Sequence, residues 1–475
     1  MSDREKDSGP FGWKRTTLGD TLPIRYGKAR NEKYGTVRED TPVYGSSGRI
    51  DTFHRALTGG PSLIIGRKGT VGATYYCPEP CWPIDTVYFT EATADEDLRF
   101  FKYLLDHLQL ARMDRSTAVP GLSRDDYNAT DVFIPELDQQ RLIVAEIEKQ
   151  FSRLDEAVAN LKRVKANLKR YKASVLKAAV EGKLTEDRRK AHPNVEPASK
   201  LLERILIERR RRWEEDQLSK FKDKGQEPPK NWKEKYKEPV SPHGSNLLPL
   251  PKEWCRATLD QTLWHLRSGT AETSRRESTD YPVLKSSAVR HGVIDFEDLN
   301  YLQKSQSFRP ENFLRRGDFL ITRLSGSLDY VGCSAVVKDV ACEGIQYPDR
   351  VFCGKLVTGT GGTYLCYCFQ HSGIRKALEE AAKSTAGHQR ISMSDLYPLT
   401  LPLPPVAEQQ RIVSEVERRL SVIEELEAAV QANLIRADRL RQSILSNAFA
   451  GKLVCANISQ SGERSSDIQM AKSLE

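Results

Sequence analysis

The 475-residue chain is written twice. Gln139-Gln140-Arg141 returns as Gln409-Gln410-Arg411, and Ile143-Val144-Ala145-Glu146-Ile147-Glu148 returns as Ile412-Val413-Ser414-Glu415-Val416-Glu417. Both copies close on Gly-Lys-Leu, at 182–184 and at 451–453, an offset of 269 residues. The approaches to these blocks also match. Ser116-Thr117-Ala118 answers Ser384-Thr385-Ala386, Leu122-Ser123 answers Ile391-Ser392, and Trp13-Lys14-Arg15-Thr16-Thr17-Leu18 answers Trp254-Cys255-Arg256-Ala257-Thr258-Leu259. A period this long makes two similar halves, each a variable block followed by a better-matched one. In this register Leu142 is an extra residue near the first helix start, and the second variable block is about 30 residues longer than the first.

The better-matched blocks, 138–184 and 406–455, read as long helices. Ile147, Leu154, Leu161, Leu168 and Val175 recur every seven residues, with Ala157, Val164, Tyr171 and Ala178 three further on. Pro135 and Asp138 mark the start, and Gly182 marks a left-handed stop. At roughly 1.5 Å per residue such a helix runs about 60 Å. In the second copy Val416, Ile423, Val430, Ala437 and Ile444 hold one seam, flanked by Leu420, Leu426, Leu434 and Leu440, with Asn433 and Asn447 interrupting. Two matched helices with one apolar stripe each most simply bury those stripes on each other. The other arrangement packs each helix on its own variable block.

The variable blocks, 11–137 and 248–405, alternate short β-branched runs with Gly, Pro, Asp and Ser, as at Ser62-Leu63-Ile64-Ile65 and Asp318-Phe319-Leu320-Ile321-Thr322. Each carries one helical stretch, near 97–112 and 363–382, so an α+β domain fits both. Between the halves, 185–247 reads as a polar linker with a charged helix over 199–220. There Arg209–Arg212 interleave with Glu203, Glu208, Glu214 and Glu215, a pattern that suits a solvated face better than a phosphate patch. Residues 456–475 read as a disordered tail. No apolar run nears the roughly 20 residues of a membrane span, and the charged N-terminus does not open a signal peptide, so a cytoplasmic location is expected. Nine cysteines without paired clusters suit reduced, buried thiols rather than disulfides or zinc.

A catalytic reading finds no footing. The sequence has no phosphate-binding G-x-x-x-x-G-K-[ST], no G-x-G-x-x-G between strand and helix, no H-E-x-x-H and no G-x-S-x-G. The methyltransferase tetrapeptide that begins Asn/Asp-Pro-Pro is missing, and no acidic-x-Lys at a suitable distance completes Pro348-Asp349 as a nuclease site. What is present suits a polyanion, in keeping with 73 Lys+Arg against 65 Asp+Glu. Gly66-Arg67-Lys68-Gly69-Thr70-Val71-Gly72 follows an apolar strand and forms a tight basic turn or a plain hairpin. Its glycines let backbone N–H groups approach a phosphate, while Arg67 or Lys68 can pair with phosphate or read guanine. The second copy has Ile321-Thr322-Arg323-Leu324-Ser325-Gly326-Ser327 in this place, and Tyr44-Gly45-Ser46-Ser47 aligns with Leu284-Lys285-Ser286-Ser287. The DNA-contact candidates are Ser46, Arg49, Arg67, Lys68, Thr70, Arg115 and Arg124 in the first half. In the second they are Lys285, Ser286, Arg323, Ser325, Arg350 and Arg390.

The duplicated plan, the Pro-x-x-x-Gln-Gln-Arg helix start and the Gly-Lys-Leu ending resemble the specificity subunit of type I restriction-modification systems over 13–455. Leu201-Leu202-Glu203-Arg204-Ile205 through Trp213-Glu214-Glu215 also resembles the segment between the halves of these subunits. The resemblance implies a non-catalytic reader of double-stranded DNA, with two α+β target recognition domains separated by two long antiparallel helices in a pseudo-twofold tandem duplication. Each domain would read one half of a bipartite asymmetric site, with the helices as a ruler for the gap. It implies as partners two methyltransferase subunits and motor-nuclease subunits, which carry S-adenosylmethionine, ATP and Mg; this chain would bind no cofactor or metal. A stand-alone DNA-binding regulator with two such domains is the alternative.

Overall fold

The computed structural model describes residues 10, 12–91, 96–113, 121–243, 249–303, 309–338, 344–385 and 387–453. It divides into two compact units, 1–164 with 429–475, and 165–428. Two 44-residue helices, Leu137–Val180 and Val406–Phe449, each run from one unit into the other.

In the first unit the main sheet has the order Arg25–Tyr26, Val87–Glu91, Ser62–Gly66, Thr74–Cys77, antiparallel throughout. Its central strand is buried from end to end, so both faces must be covered. The helix Leu98–Leu108 covers one face, setting Phe100, Phe101, Leu104 and Leu105 against Leu63, Ile65 and Tyr88. Asp97 caps this helix by accepting from the Arg99 N–H at 2.9 Å, and Gln109 ends it in the left-handed region at φ 51°. The hairpin Thr36–Gly45/Gly48–Ala56 joins the short strand Trp82–Pro83 in parallel. Lys14–Thr17 pairs with Asp131–Ile134 and delivers the chain into the first long helix.

The second unit repeats this plan. Its main sheet runs Leu263–Ser268, Val351–Leu356, Phe319–Thr322, Ser334–Val336, again antiparallel, and Cys255–Thr258 pairs with Thr400–Leu403 ahead of the second long helix. Registers correspond: Ile64 faces Phe89 as Leu320 faces Cys353, and Ile65 faces Tyr88 as Ile321 faces Phe352. The single helical stretch expected over 363–382 is two helices, Gly362–Gln370 and Ser372–Ala381. The break falls at His371, whose extended backbone lets its Nδ1 accept from the Gly373 N–H at 3.2 Å. This block also holds the small sheets Ser274–Arg275/Leu299–Leu302/Pro282–Leu284 and Val289–Arg290/Val293–Ile294.

The long helices pair antiparallel within each unit. In the first, Ile143, Val144, Ile147 and Phe151 share a core with Ile444, Leu445 and Ala448; in the second, Val175, Leu176, Ala179 and Val180 share one with Ile412 and Val416. The seven-residue positions turn inward. Ile147, Leu168, Val175, Val416, Ile423, Val430, Ala437 and Ile444 are buried, and Leu154 and Leu161 are partly so. The flanking stripe is not the expected one. Residues four further on, such as Phe151 and Ala179, go inside, whereas Ala157, Val164 and Tyr171, three further on, are exposed.

The helix start also corrects the repeat register. Gln140 donates to the Pro135 carbonyl and accepts from the Asp97 N–H; Gln409 donates to the Pro404 carbonyl and accepts from the Gly361 N–H. These two buried glutamines are equivalent, which keeps the offset at 269 throughout and removes Leu142 as an extra residue. Gly182 and Gly451, both at φ +73°, stop the two helices alike.

The 185–247 segment is more than a linker. Its helix, Ala198–Asp223, buries Leu201 and Ile205 against Ala257, Val357 and Leu403. Arg209 points inward, donating to the Leu263 carbonyl at 2.9 Å and pairing with Asp260 at 2.9 Å. Arg210 and Arg211 do lie on a solvated face, paired with Glu214 and Glu208. Of the tail, 456–475 lies outside the described residues, and no described helix is long and apolar enough to cross a membrane.

Candidate nucleic-acid interface

The turn after Ser62–Gly66 is shaped by its glycines. Gly66 donates to the Ala73 carbonyl and accepts from Gly72, each at 2.8 Å. A Cβ on Gly66 would stand 2.1 Å from the Thr70 carbonyl oxygen, and Gly69 and Gly72 have φ of +81° and +73°. Lys68, Gly69 and Thr70 form the exposed tip. Ser46, at the tip of the neighbouring hairpin, lies beside Gly69, so two polar turns meet on one surface. Arg49 is exposed on the strand leaving that hairpin turn.

Arg67 faces inward by comparison. Its N–H and that of Lys68 donate to the Thr86 carbonyl at 3.0 and 3.1 Å, and its Nη2 donates to the Asp85 carbonyl at 2.7 Å. The guanidinium lies 5.3 Å from the Tyr26 ring centre and 5.9 Å from that of Tyr88. The Arg124 guanidinium also lies 5.8 Å from the Tyr26 ring centre. Tyr26 is half exposed and lies beside both guanidinium groups, and sequence reading missed it because a lone tyrosine carries no pattern. Burial pushes the Tyr88 hydroxyl up to about 12, so it stays protonated, donating to the Leu122 carbonyl at 3.0 Å.

The second half builds the same anchor from a different sequence. The Arg323 N–H donates to the Arg350 carbonyl at 2.8 Å, its Nη1 to the Asp349 carbonyl at 3.1 Å, and its guanidinium stacks 5.4 Å from the Phe352 ring centre. The Ile391 N–H returns to the Arg323 carbonyl as that of Leu122 does to Arg67. In both arginines Nε is buried with no hydrogen-bond partner among the described residues. Arg323, Ser325, Arg350 and Arg390 therefore come together, because Leu324 and Ser325 pair with Arg390 and Gln389. Arg350 and Arg390 are exposed. Lys285 is not free; it pairs with Asp298 at 2.6 Å, and Ser286 begins a short 3-10 turn beside it. Arg115 lies outside the described residues.

Among the described residues no group of three or more His, Cys, Asp or Glu could hold a metal. Cys77, Cys81, Cys333, Cys353, Cys366 and Cys368 are buried thiols.

Comparison with known proteins defines the class. Residues 10–170 match the family model described as the type I restriction modification DNA specificity domain. The EcoKI specificity subunit of Escherichia coli K12 is 27% identical over 354 residues, 74% of this chain and 64% of that one. The EcoEI subunit of E. coli, 27% identical, is matched over 49% of its length, so the chain spans about half to just under two thirds of these two relatives. The EcoDI subunit of E. coli is 22% identical over 94% of this chain and 89% of its own. A chain from the solved structure on "complex assembly and conformational transition of the type I R-M system" superposes with a TM-score of 0.61 at 16% identity, covering 94% of this chain and 99% of that one, and so shares its fold. Residues 10–170 thus match the specificity domain, and the chain as a whole is similar to specificity subunits of type I restriction-modification systems.

Proposed function

We propose that this chain reads a bipartite, asymmetric site in double-stranded DNA, one half through each α+β domain. The observation that carries this reading is the arginine-anchored turn built twice, at Arg67 and at Arg323, each beside exposed basic residues. Backbone N–H groups and flexible lysines at such turns suit phosphate, and arginines such as Arg124, Arg350 and Arg390 suit base edges. Because the second turn lacks the glycine rhythm and stands beside Arg390 in a three-stranded sheet, the two half-sites differ.

The chain itself acts without catalysis, cofactor or metal. The long helices set the gap between half-sites and dock two methyltransferase subunits, which use S-adenosylmethionine to methylate adenine. Motor-nuclease subunits with ATP and Mg complete a restriction complex. Support for docking comes from apolar side chains left in solvent on these helices, Val164 and Leu440 in one unit and Tyr171 and Leu426 in the other. Fluorescence anisotropy with a duplex library, run on the chain with and without the methyltransferase encoded beside it, tests this. Selective binding only with the methyltransferase supports the subunit reading; equally selective binding alone favours a regulator.

A further inference from the structure

The second unit holds a cleft of about 750 Å³ between the helix Ala198–Asp223 and its main sheet. It lies at the start of strand Phe319–Thr322, whereas the Arg323 turn lies at that strand's end. Arg267, Arg315, Arg316 and Lys355 line it from the domain, Arg212 and Lys220 from the helix. Lys355 pairs with Asp318, Lys220 with Asp216 and Arg212 with Glu208. The guanidinium groups of Arg267, Arg315 and Arg316 have no carboxylate partner among the described residues; that of Arg267 donates to the Tyr347 hydroxyl at 3.0 Å, and only the backbone N–H of Arg315 meets a carboxylate, Asp318 at 2.9 Å. Against this surplus stands Glu311, a further acid in the lining.

The duplication supplies an internal control. Arg25 holds the place of Arg267, facing Phe89 as Arg267 faces Cys353. Glu91, facing Ser62, holds the place of Lys355 and forms an ion pair with Arg25. Gly59 and Gly60, five and four residues before Ile64, stand where Arg315 and Arg316 precede Leu320. The same sheet therefore folds with neutral or self-paired residues here, and the cations of the second half are not required by the scaffold.

We propose that this cleft binds a phosphate-bearing ligand of nucleotide size, its phosphates held by Arg267, Arg315 and Arg316 and its base against Trp264. Guanidinium groups match phosphate oxygens in bidentate geometry. The volume falls within the roughly 300–1,000 Å³ of small-ligand sites, and Trp264 is a partly exposed aromatic wall of the same cleft. A duplex, whose major groove alone is about 12 Å wide, does not enter a cleft this size. The site is independent of the DNA-reading turns.

The test is a titration of the full chain with ATP as the probe, followed by tryptophan fluorescence and equilibrium dialysis, with inorganic pyrophosphate and adenosine as separate arms. Saturable binding of ATP is expected, with pyrophosphate competing and adenosine binding more weakly. The double variant Arg315→Gly, Arg316→Gly installs the first half's residues at exposed positions and should weaken ATP by about tenfold or more, as two charge-assisted contacts are lost. Duplex recognition should be unchanged. Absence of saturable ATP binding, or equal affinity in the double variant, would overturn the proposal. So would a variant that loses duplex affinity while ATP does not bind, which would assign the cleft to DNA backbone.

Discussion

Arg67 donates through Nη2 to the carbonyl of Asp85 at 2.7 Å, and this bond ties the basic turn to the strand that follows Thr86. Arg67 is thus an anchor, while Lys68 at the exposed tip is free to meet phosphate. Substituting Lys68 by Ala should lower the salt slope of DNA binding by about one with little change in stability. Arg67→Ala should instead cost about 1.5–3 kcal/mol in urea unfolding, the range for a hydrogen bond to a charged group. Arg323→Ala should behave as Arg67→Ala does. Equal stability of Arg67→Ala and the parent would remove the anchor role.

The helix pair makes a sharper test, since neighbouring positions of one heptad pattern divide between core and solvent. Ile423 is 1% exposed and Leu426 is 48% exposed. Ile423→Ala should destabilise the isolated chain by about 2–4 kcal/mol, as buried large-to-small changes do. Leu426→Ala should leave that stability within about 0.5 kcal/mol while weakening capture of the methyltransferase in a pull-down. The reverse ordering would mean that the helix has turned.

A buried acid holds the start of the second long helix. Glu408 accepts from the Trp254 indole at 2.9 Å, from the Thr185 hydroxyl at 2.6 Å and from Arg189 at 2.6 Å. Glu408→Ala leaves Arg189 and the indole N–H without their acceptor, and should cost about 3–5 kcal/mol, seen as a lowered chemical-denaturation midpoint. Gln139 occupies the same place at the offset of 269, so Glu408→Gln is the conservative control and should cost less.

Acid should weaken the second unit through His291. Burial, with Arg375 nearby, lowers this imidazole to about 4, and burial also lowers His265 and His371. A histidine held neutral binds fewer protons folded than unfolded, so its stability contribution is complete above about 6.5 and falls as pH drops towards 4. For His291 alone the loss is on the order of 3 kcal/mol. Unfolding midpoints measured from pH 7 to pH 5 should fall for the parent and fall less steeply for His291→Gln.

The heptad residues were readable because burial on a helix repeats with its geometry, and Ile147 through Val175 show that repeat directly. Which flank completes the seam was not readable. Phe151 and Val164 are both apolar, and the pairing of the antiparallel helix decides that one is buried and the other exposed. The sheet order was hidden for the same reason, since pairing Arg25 with Phe89 depends on contacts 64 residues apart. Among the basic residues, local spacing could not show that Lys285 meets Asp298 or that Arg209 turns inward to Asp260. The glycine turn was legible because its strain is local: Gly69 and Gly72 adopt backbone angles that other residues resist.

The proposed role of this chain is to select the DNA on which a partner methyltransferase acts. Base-resolved methylation sequencing tests it in cells expressing the neighbouring methyltransferase with this chain, with the chain carrying Arg323→Ala, or alone. Methyladenine at one new two-part motif, present only with the intact chain and diminished by Arg323→Ala, is the predicted result. The same methylation pattern with and without the chain, both proteins being expressed, would contradict it.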